Sequence, residues 1–138
     1  MIIGECKIRP RYDEVDQMGY VYHANYVNYC HLARTELLRQ FGINDKVLEE
    51  NNIMLPVIEM NLKYLKPTGY DEELTVRTRI KELPKARFKF EFEFENGNYE
   101  KTCTATSTLV FVNGKTRKPH VVPDIIVNAL KEAFELAQ

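Results

Sequence analysis

Apolar residues recur at three- and four-residue steps in one long segment of the chain and at two-residue steps in most of the rest. The first pattern covers residues 26–41, through Tyr26, Tyr29, Cys30, Ala33, Leu37, Leu38 and Phe41. That spacing predicts an amphipathic helix with one apolar face. Asn25 is a favourable N-cap for it, and Gly42 is a favourable C-terminal stop. Shorter helices are predicted over residues 45–51 and 123–137.

Two-residue alternation predicts five strands in the remaining chain. It is clearest in residues 86–95, "ARFKFEFEFE", where phenylalanines alternate with charged side chains. The other four predicted strands cover residues 2–12, 56–65, 73–83 and 101–112. Pro10 cannot donate a backbone hydrogen bond, so the first strand should end near it or lie at a sheet edge. The segment "ENGN" is a hairpin turn signal between two of the strands.

These elements predict an α+β fold in a single domain of residues 1–138. Consecutive strands with one apolar face favour an antiparallel sheet. The long helix would bury its apolar stripe across that sheet. Small residues at the inward positions of the last strand would let the helix approach closely, namely Cys103, Ala105 and Ser107.

Composition excludes several classes of protein. The chain carries 19 basic and 20 acidic residues, and this balance argues against a general nucleic-acid binder. Three widely spaced cysteines predict neither a disulfide framework nor a zinc site, and the histidine spacing predicts no metal centre. No apolar run is long enough to span a bilayer, and no secretion signal is recognised. A cytoplasmic location is therefore expected.

The segment before the long helix, "YDEVDQMGYVYHANY" at residues 12–26, gathers groups that carry chemistry. Asp16 supplies a carboxylate, and Gly19 permits positive φ or close approach of a ligand to the backbone. The free N–H groups and the positive dipole end of the helix face the same segment. Acyl transfer needs a base or nucleophile together with N–H donors aimed at the developing oxyanion. The structural alternative for Asp16 is a turn aspartate, and Glu14 is interpreted as a solvated charge.

At these residues the chain resembles a known family. "YDEVDQMGYVYHANYVNYCHLARTELLRQFGI" is similar to the start of the hot-dog-fold acyl-CoA thioesterases of the 4-hydroxybenzoyl-CoA thioesterase family, especially the Tol–Pal-associated branch. The shared pattern is an aspartate, a glycine three residues later, Val-Tyr-His-x-x-Tyr, and a helix with Ala-Arg-x-Glu. The later "LKPTGYDEELTVRTRI" also resembles the family. The resemblance covers about residues 5–112.

The resemblance implies a hot-dog fold, a curved antiparallel sheet wrapped around one long central helix, in agreement with the element order. It implies hydrolysis of an acyl-CoA thioester to a carboxylic acid and free CoA, with no cofactor. By motif, the catalytic aspartate corresponds to Asp16, which would either attack the thioester or activate water. The backbone oxyanion donor corresponds to the N–H of His23. The imidazole of His23 is typical of the Tol–Pal-associated branch, where it is thought to assist.

Further residues are predicted to contact the substrate or shape its pocket: Gly19, Tyr22, Asn25, Tyr26, Lys85 and Arg87. Gly19 would set backbone geometry, and Asn25 would cap the helix and so aim its donors. Tyr22 and Tyr26 would line the acyl pocket, with core packing as the alternative. The phosphates of CoA require basic partners, which Lys85 and Arg87 could supply. The alternative for these two is an ordinary solvated face.

The resemblance also implies partners. The substrate carrier is CoA or acyl carrier protein, and homodimers or homotetramers form by joining sheets edge to edge, with the active site at the dimer interface. A second function remains open, in which a non-catalytic hot-dog protein binds acyl-CoA or acyl carrier protein without turnover. A third, a hot-dog dehydratase, relies on a different histidine setting with a Pro-Gly-rich segment, which the sequence lacks.

Overall fold

The computed structural model of the protein describes residues 1–136 of the 138-residue chain. Its helices are α1 Asn25–Arg39, α2 Asp45–Glu50 and α3 Asp124–Leu136. Its strands are β1 Ile2–Ile8, β2 Ile53–Met54, β3 Val57–Tyr64, β4 Leu74–Ile80, β5 Arg87–Glu95, β6 Lys101–Asn113 and β7 Pro119–His120. Ala137, predicted as the last apolar residue of the C-terminal helix, lies outside the described residues.

All seven strands join one sheet, and every pairing is antiparallel. The order is β1–β4–β5–β6, and β3 pairs with the far side of β6. The short strands β2 and β7 pair with the C-terminal end of β6. In register, Tyr64 of β3 lies opposite Cys103 of β6, which lies opposite Phe94 of β5. The end of β3 is therefore level with the end of β5.

The core lies between one face of the sheet and α1, as the apolar pattern predicted. The alternating phenylalanines of β5 are all buried, namely Phe88, Phe90, Phe92 and Phe94. The stripe of α1 is buried as well, from Tyr26 to Leu38. Gly4 of β1 faces Leu37 of α1 so closely that a Cβ on Gly4 would stand 2.5 Å from Cδ1 of Leu37. One long helix packed on an antiparallel sheet is the predicted α+β arrangement.

The two ends of α1 differ in how well the sequence predicted them. The helix ends at Arg39, two residues before the predicted end at Phe41. Gly42 has φ +76°, and the N–H of Ile43 donates to the carbonyl of Leu38. Gly42 is therefore the stop that was predicted. The prediction of Asn25 as N-cap is wrong, because Ala24 occupies that position and Asn25 is already helical. The Asn25 amide instead donates to the carbonyl oxygen of Glu14, at 2.8 Å.

Strand β3 forms an exposed edge of the sheet. Val57, Ile58 and Tyr64 are each about half exposed, at 47%, 51% and 47%. An edge strand with exposed apolar side chains is a template for pairing with another chain.

Within residues 1–136, no helix combines the length and apolar character needed to cross a membrane.

Candidate active site

Asp16 sits at the base of a tight turn that the chain makes before α1. Val15 and Val21 pair across this turn, and the N–H of Asp16 donates to the carbonyl of Tyr20 at 2.7 Å. One carboxylate oxygen, Oδ1, accepts from the N–H groups of Met18 (2.9 Å) and Tyr20 (3.2 Å). The other oxygen, Oδ2, has no hydrogen-bond partner among the described residues. The turn therefore fixes the half-buried carboxylate and leaves one oxygen free for chemistry.

Gly19 makes the turn possible. Its φ is +80°, which side chains with a Cβ rarely adopt, and its N–H donates to the carbonyl of Asp16 at 3.0 Å. The predicted role of Gly19 in backbone geometry is the role that it has in the turn.

The helix start presents backbone donors next to this turn. The N–H of Tyr22 donates to the carbonyl oxygen of Glu14, and the N–H of Asn25 donates to the carbonyl oxygen of Tyr22. The N–H groups of His23 and Ala24 between them donate to no acceptor within residues 1–136. They stand at the positive end of the α1 dipole, where a developing negative charge is stabilised.

A pocket of about 280 Å³ opens beside these donors. Its lining is Tyr20, Val21, His23, Tyr26, Tyr64, Leu65, Lys66 and Pro67. Tyr26 is 3% exposed and its hydroxyl lies 3.3 Å from Oγ1 of Thr68, so it belongs to both the pocket and the core. Tyr22 lies outside the pocket, half exposed, with its ring 4.4 Å from the His23 ring. Asp16 is not in the pocket wall, but its turn supplies Tyr20 and Val21 to it.

Glu14 holds the loop to the helix, a role that the sequence did not indicate. Its carboxylate accepts from the N–H of Arg11 at 2.7 Å and from the hydroxyl of Tyr29 at 3.2 Å. Its backbone carbonyl accepts from Tyr22 and from the amide of Asn25. The interpretation of Glu14 as a solvated charge is wrong, because two donors bond its carboxylate, one from the loop and one from α1. Asn25 thus acts on the site through Glu14, by holding the loop against the helix.

Tyr64 is a second residue that sequence reasoning missed. Its hydroxyl donates to the carbonyl oxygen of His23 at 3.0 Å, across 41 positions of sequence. The available signal was a side chain with a hydroxyl at the last position of a strand face that is otherwise apolar, after Ile58, Met60 and Leu62.

Lys85 and Arg87 lie in a different place from Asp16 and His23. They line a separate cavity of about 540 Å³ at the β4–β5 connection, with Arg79, Lys81, Lys89, Glu82, Glu91, Leu83 and Pro84. Arg79 and Lys81 are paired with acids of β5, whereas no ion pair within residues 1–136 involves Lys85, Arg87 or Lys89. Because β5 runs seven residues from Arg87 to Phe94, this cavity lies roughly 24 Å from the Tyr64 end of the sheet.

The buried cysteines are poor nucleophiles. Burial raises the pKa of the Cys103 thiol to about 11 and also raises that of Cys30, so both stay protonated near neutral pH. In the part of the chain that the structure describes, no group of three His, Cys, Asp or Glu side chains is placed to hold a metal ion. The carboxylate of Asp16 is therefore the candidate group for chemistry beside the free donors.

Comparisons with known proteins agree with this site and fold. The model of the thioesterase-like superfamily matches residues 10–130. The putative acyl-CoA thioesterase YneP of Bacillus subtilis is 33% identical over 119 residues, which are 86% of each chain. The acyl-CoA thioester hydrolase YbgC of Escherichia coli O6:H1 is 29% identical over 125 residues, covering 91% of this chain and 93% of the relative. The crystal structure of DHNA-CoA thioesterase from Staphylococcus aureus has a TM-score of 0.90 at 27% identity, covering 99% of this chain and 94% of that one.

These matches confirm the predicted hot-dog architecture and support the predicted class of thioester hydrolase. The family model extends over both the Asp16 turn and the helix start, since each lies inside residues 10–130. The chain therefore belongs to the thioesterase-like superfamily.

Proposed function

We propose that the protein hydrolyses acyl-CoA thioesters to a carboxylic acid and free CoA. Asp16 is the catalytic carboxylate, and the N–H of His23 is the oxyanion donor. The observation that carries the proposal is the free Oδ2 of Asp16, in the turn that leads into a helix start with two unbonded N–H groups. The names of the relatives YneP and YbgC support CoA as the carrier.

Two routes use the same geometry. In the first, Oδ2 attacks the thioester carbonyl, CoA leaves as the thiolate, and water hydrolyses the resulting mixed anhydride. In the second, Asp16 removes a proton from water, which attacks the carbonyl directly, and CoA then leaves as the thiolate and takes up the proton from Asp16. In both routes the carbonyl oxygen becomes negative, and the helix-start N–H groups stabilise it. Hydroxylamine would capture the anhydride as a hydroxamate at a rate above that of its direct reaction with acyl-CoA, whereas the second route forms no acyl-enzyme to capture.

We propose that Lys85 and Arg87 bind phosphate groups of CoA bound at the partner's site in a homodimer. Support comes from the lack of acidic partners for these two side chains in the described chain. Within one chain the basic cavity lies far from Asp16. Antiparallel pairing of two β3 strands would bring the Val57 end of one copy beside the Tyr64 end of the other. The partner's β5 would then lie three strands away, about 14 Å sideways, which is within the length of CoA.

The imidazole of His23 is proposed to orient substrate or water. In support, the ring is exposed on the pocket wall, between Tyr22 and Tyr64, and no hydrogen bond within residues 1–136 fixes it. The histidine in the motif also supports placing the chain in the Tol–Pal-associated branch of hot-dog thioesterases.

Thiol release from a panel of acyl-CoAs tests the proposal. Asp16→Asn retains an Oδ1 that can accept from Met18 and Tyr20, so the turn should survive while the carboxylate is lost. We expect kcat to fall about 10²- to 10⁴-fold. Asp13→Asn is the matched control, because the Asp13 side chain is 73% exposed three residues away. Equal rates for wild type and Asp16→Asn would refute the assignment of Asp16.

The alternative function is binding of acyl-CoA or acyl carrier protein without hydrolysis. A preserved pocket and donors would serve binding too, but a free carboxylate oxygen is not needed to hold a neutral thioester. Saturable binding with no thiol release on any member of the panel would favour this alternative. The same panel presented on acyl carrier protein separates the two carriers.

A further inference from the structure

Tyr64 joins the edge strand to the start of α1 through a single hydrogen bond. Its hydroxyl donates to the carbonyl oxygen of His23 at 3.0 Å. The N–H of Tyr26 also reaches that carbonyl, at 3.3 Å, but this contact belongs to the first turn of the helix itself. In the part of the chain described, Tyr64 is the side chain from another element that holds the backbone of His23.

The same residue, His23, supplies the free N–H that faces the site. A carbonyl and an N–H of one residue are related by its two backbone dihedrals, so holding the carbonyl restricts the direction of the N–H. An oxyanion donor stabilises the transition state only if it is already aimed when the charge develops. The bond from Tyr64 therefore affects catalysis, although the carbonyl oxygen, the carbonyl carbon and Cα of His23 lie between the phenol and the donor nitrogen.

We infer that Tyr64 is a positioning residue for catalysis, whose hydroxyl fixes the backbone of His23 so that its N–H points at the developing oxyanion. The inference rests on the proposed function and extends it to a residue outside the loop and helix motif. It also links the site to β3, since Tyr64 is the last residue of that strand.

Packing alone does not account for this tyrosine. Its ring makes edge-to-face contacts with Tyr26, at 5.4 Å, and with His23, at 6.2 Å, and phenylalanine would make both. What the tyrosine adds is the hydroxyl. Burial, and then the nearby Cys103 and Cys30, raise the pKa of Tyr64, which keeps the phenol protonated as a donor.

Tyr64→Phe tests the inference by removing one oxygen atom. We expect kcat for thiol release to fall about 10-fold with KM changed less than twofold, because the bond acts on the transition state. Tyr99→Phe is the matched control, since Tyr99 is 86% exposed in the β5–β6 turn, and its kcat should equal that of wild type. Hydrogen exchange at the amides of Asn25, Tyr26 and Val27 should be faster in Tyr64→Phe only.

A second variant guards against a general loss of structure. Replacing Tyr64 by a fluorinated tyrosine keeps the shape and lowers the pKa of the phenol. We expect kcat to decline at high pH with the ionisation of this phenol, because a phenolate cannot donate to the carbonyl. A pH profile that matches wild type would overturn the inference.

The outcomes separate this inference from the proposed function. Slow thiol release by Asp16→Asn with wild-type kcat in Tyr64→Phe would sustain the function and overturn the role of Tyr64. Absence of thiol release by the wild type would overturn the function. In that case hydrogen exchange decides whether Tyr64 holds the helix start. Equal amide exchange rates in wild type and Tyr64→Phe would show that it does not.

Discussion

The carboxylate of Glu14 accepts a hydrogen bond from the hydroxyl of Tyr29 at 3.2 Å, which ties the loop before α1 to the core face of the helix. Burial raises the pKa of Tyr29, and the charge of Glu14 raises it further, so the phenol stays protonated and keeps donating. The same carboxylate accepts from the N–H of Arg11. The position of the Asp16 turn relative to the free N–H groups of His23 and Ala24 thus depends on Glu14, which bonds neither of those two groups.

Tyr29→Phe should therefore weaken both the fold and the site. Loss of a hydrogen bond to a half-buried carboxylate should lower the free energy of unfolding by about 1–2 kcal/mol. Urea unfolding followed by circular dichroism measures this. In a double-mutant cycle with Glu14→Gln, the two changes should couple by about 1 kcal/mol. Strictly additive effects would show that the bond contributes nothing in solution.

Local pattern was sufficient to predict the three helices and the five longer strands of this fold, but not the two-residue strands β2 and β7. The phenylalanines of β5 alternate with charges because one face packs on α1 and the other meets solvent. The stripe from Tyr26 to Leu38 marked α1 for the same reason. Gly42 marked its end, because positive φ there is acceptable mainly to glycine.

Contacts between distant parts of the chain were not predictable from local pattern. The sequence did not show that β3 pairs with β6 rather than with β4, since several orders bury the same faces. Asn25 lost its expected capping role because the carbonyl of Glu14 lies within reach of its amide. The bond from Tyr64 to His23 spans 41 residues and exists only once β3 and α1 are packed.

The close approach of β1 and α1 predicts a cost for any side chain at Gly4. A Cβ there would stand 2.5 Å from Cδ1 and 3.3 Å from Cγ of Leu37, a core residue with 2% exposure. Gly4→Ala should therefore lower the free energy of unfolding by about 1–3 kcal/mol in a urea titration. Gly97→Ala is the control, because nothing lies within 4 Å of its added Cβ, and it should be nearly neutral. A neutral Gly4→Ala would mean that Leu37 moves aside freely.

The pair His31 and Arg34 predicts a pH dependence of stability. Arg34 Nη2 lies 2.8 Å from Nδ1 of His31, which must be unprotonated to accept from it. Burial lowers the pKa of His31, Arg34 lowers it further, and Asp45 of α2 acts in the opposite direction. The unfolded histidine, with a pKa of about 6.5, then binds a proton more readily than the folded one. Stability should consequently fall as pH drops below about 6.5, and level off below the pKa of the folded protein.

Urea unfolding at a series of pH values between about 5 and 7.5 measures this dependence. His31→Gln keeps an acceptor for Arg34 but cannot titrate, so its stability should change less with pH in that range. An identical pH dependence in the variant would assign the effect to other groups.

Among residues 1–136 the sheet has two open edges, β1 and β3, and β3 fits the proposed dimer better. On strand β1, Ile3 is 56% exposed. The next outward side chains of β1 are charged and form ion pairs within the chain, as Glu5 does with Arg77 of β4. Strand β3 exposes Val57 and Ile58 in succession, and its outer edge faces no other strand within residues 1–136. Apolar side chains on an unpaired edge favour association through that edge.

Ile58→Lys should therefore dissociate the proposed homodimer, while Ile3→Lys, a matched change on the other edge, should leave it intact. Both side chains are half exposed in one chain, so neither lysine should unfold it. Sedimentation velocity measures the mass, and thiol release measures the site. If Lys85 and Arg87 serve the partner's site, Ile58→Lys should raise KM for acyl-CoA and should do so less for a substrate that lacks the nucleotide phosphates. A dimeric mass for Ile58→Lys together with a monomeric mass for Ile3→Lys would place the interface on β1 instead.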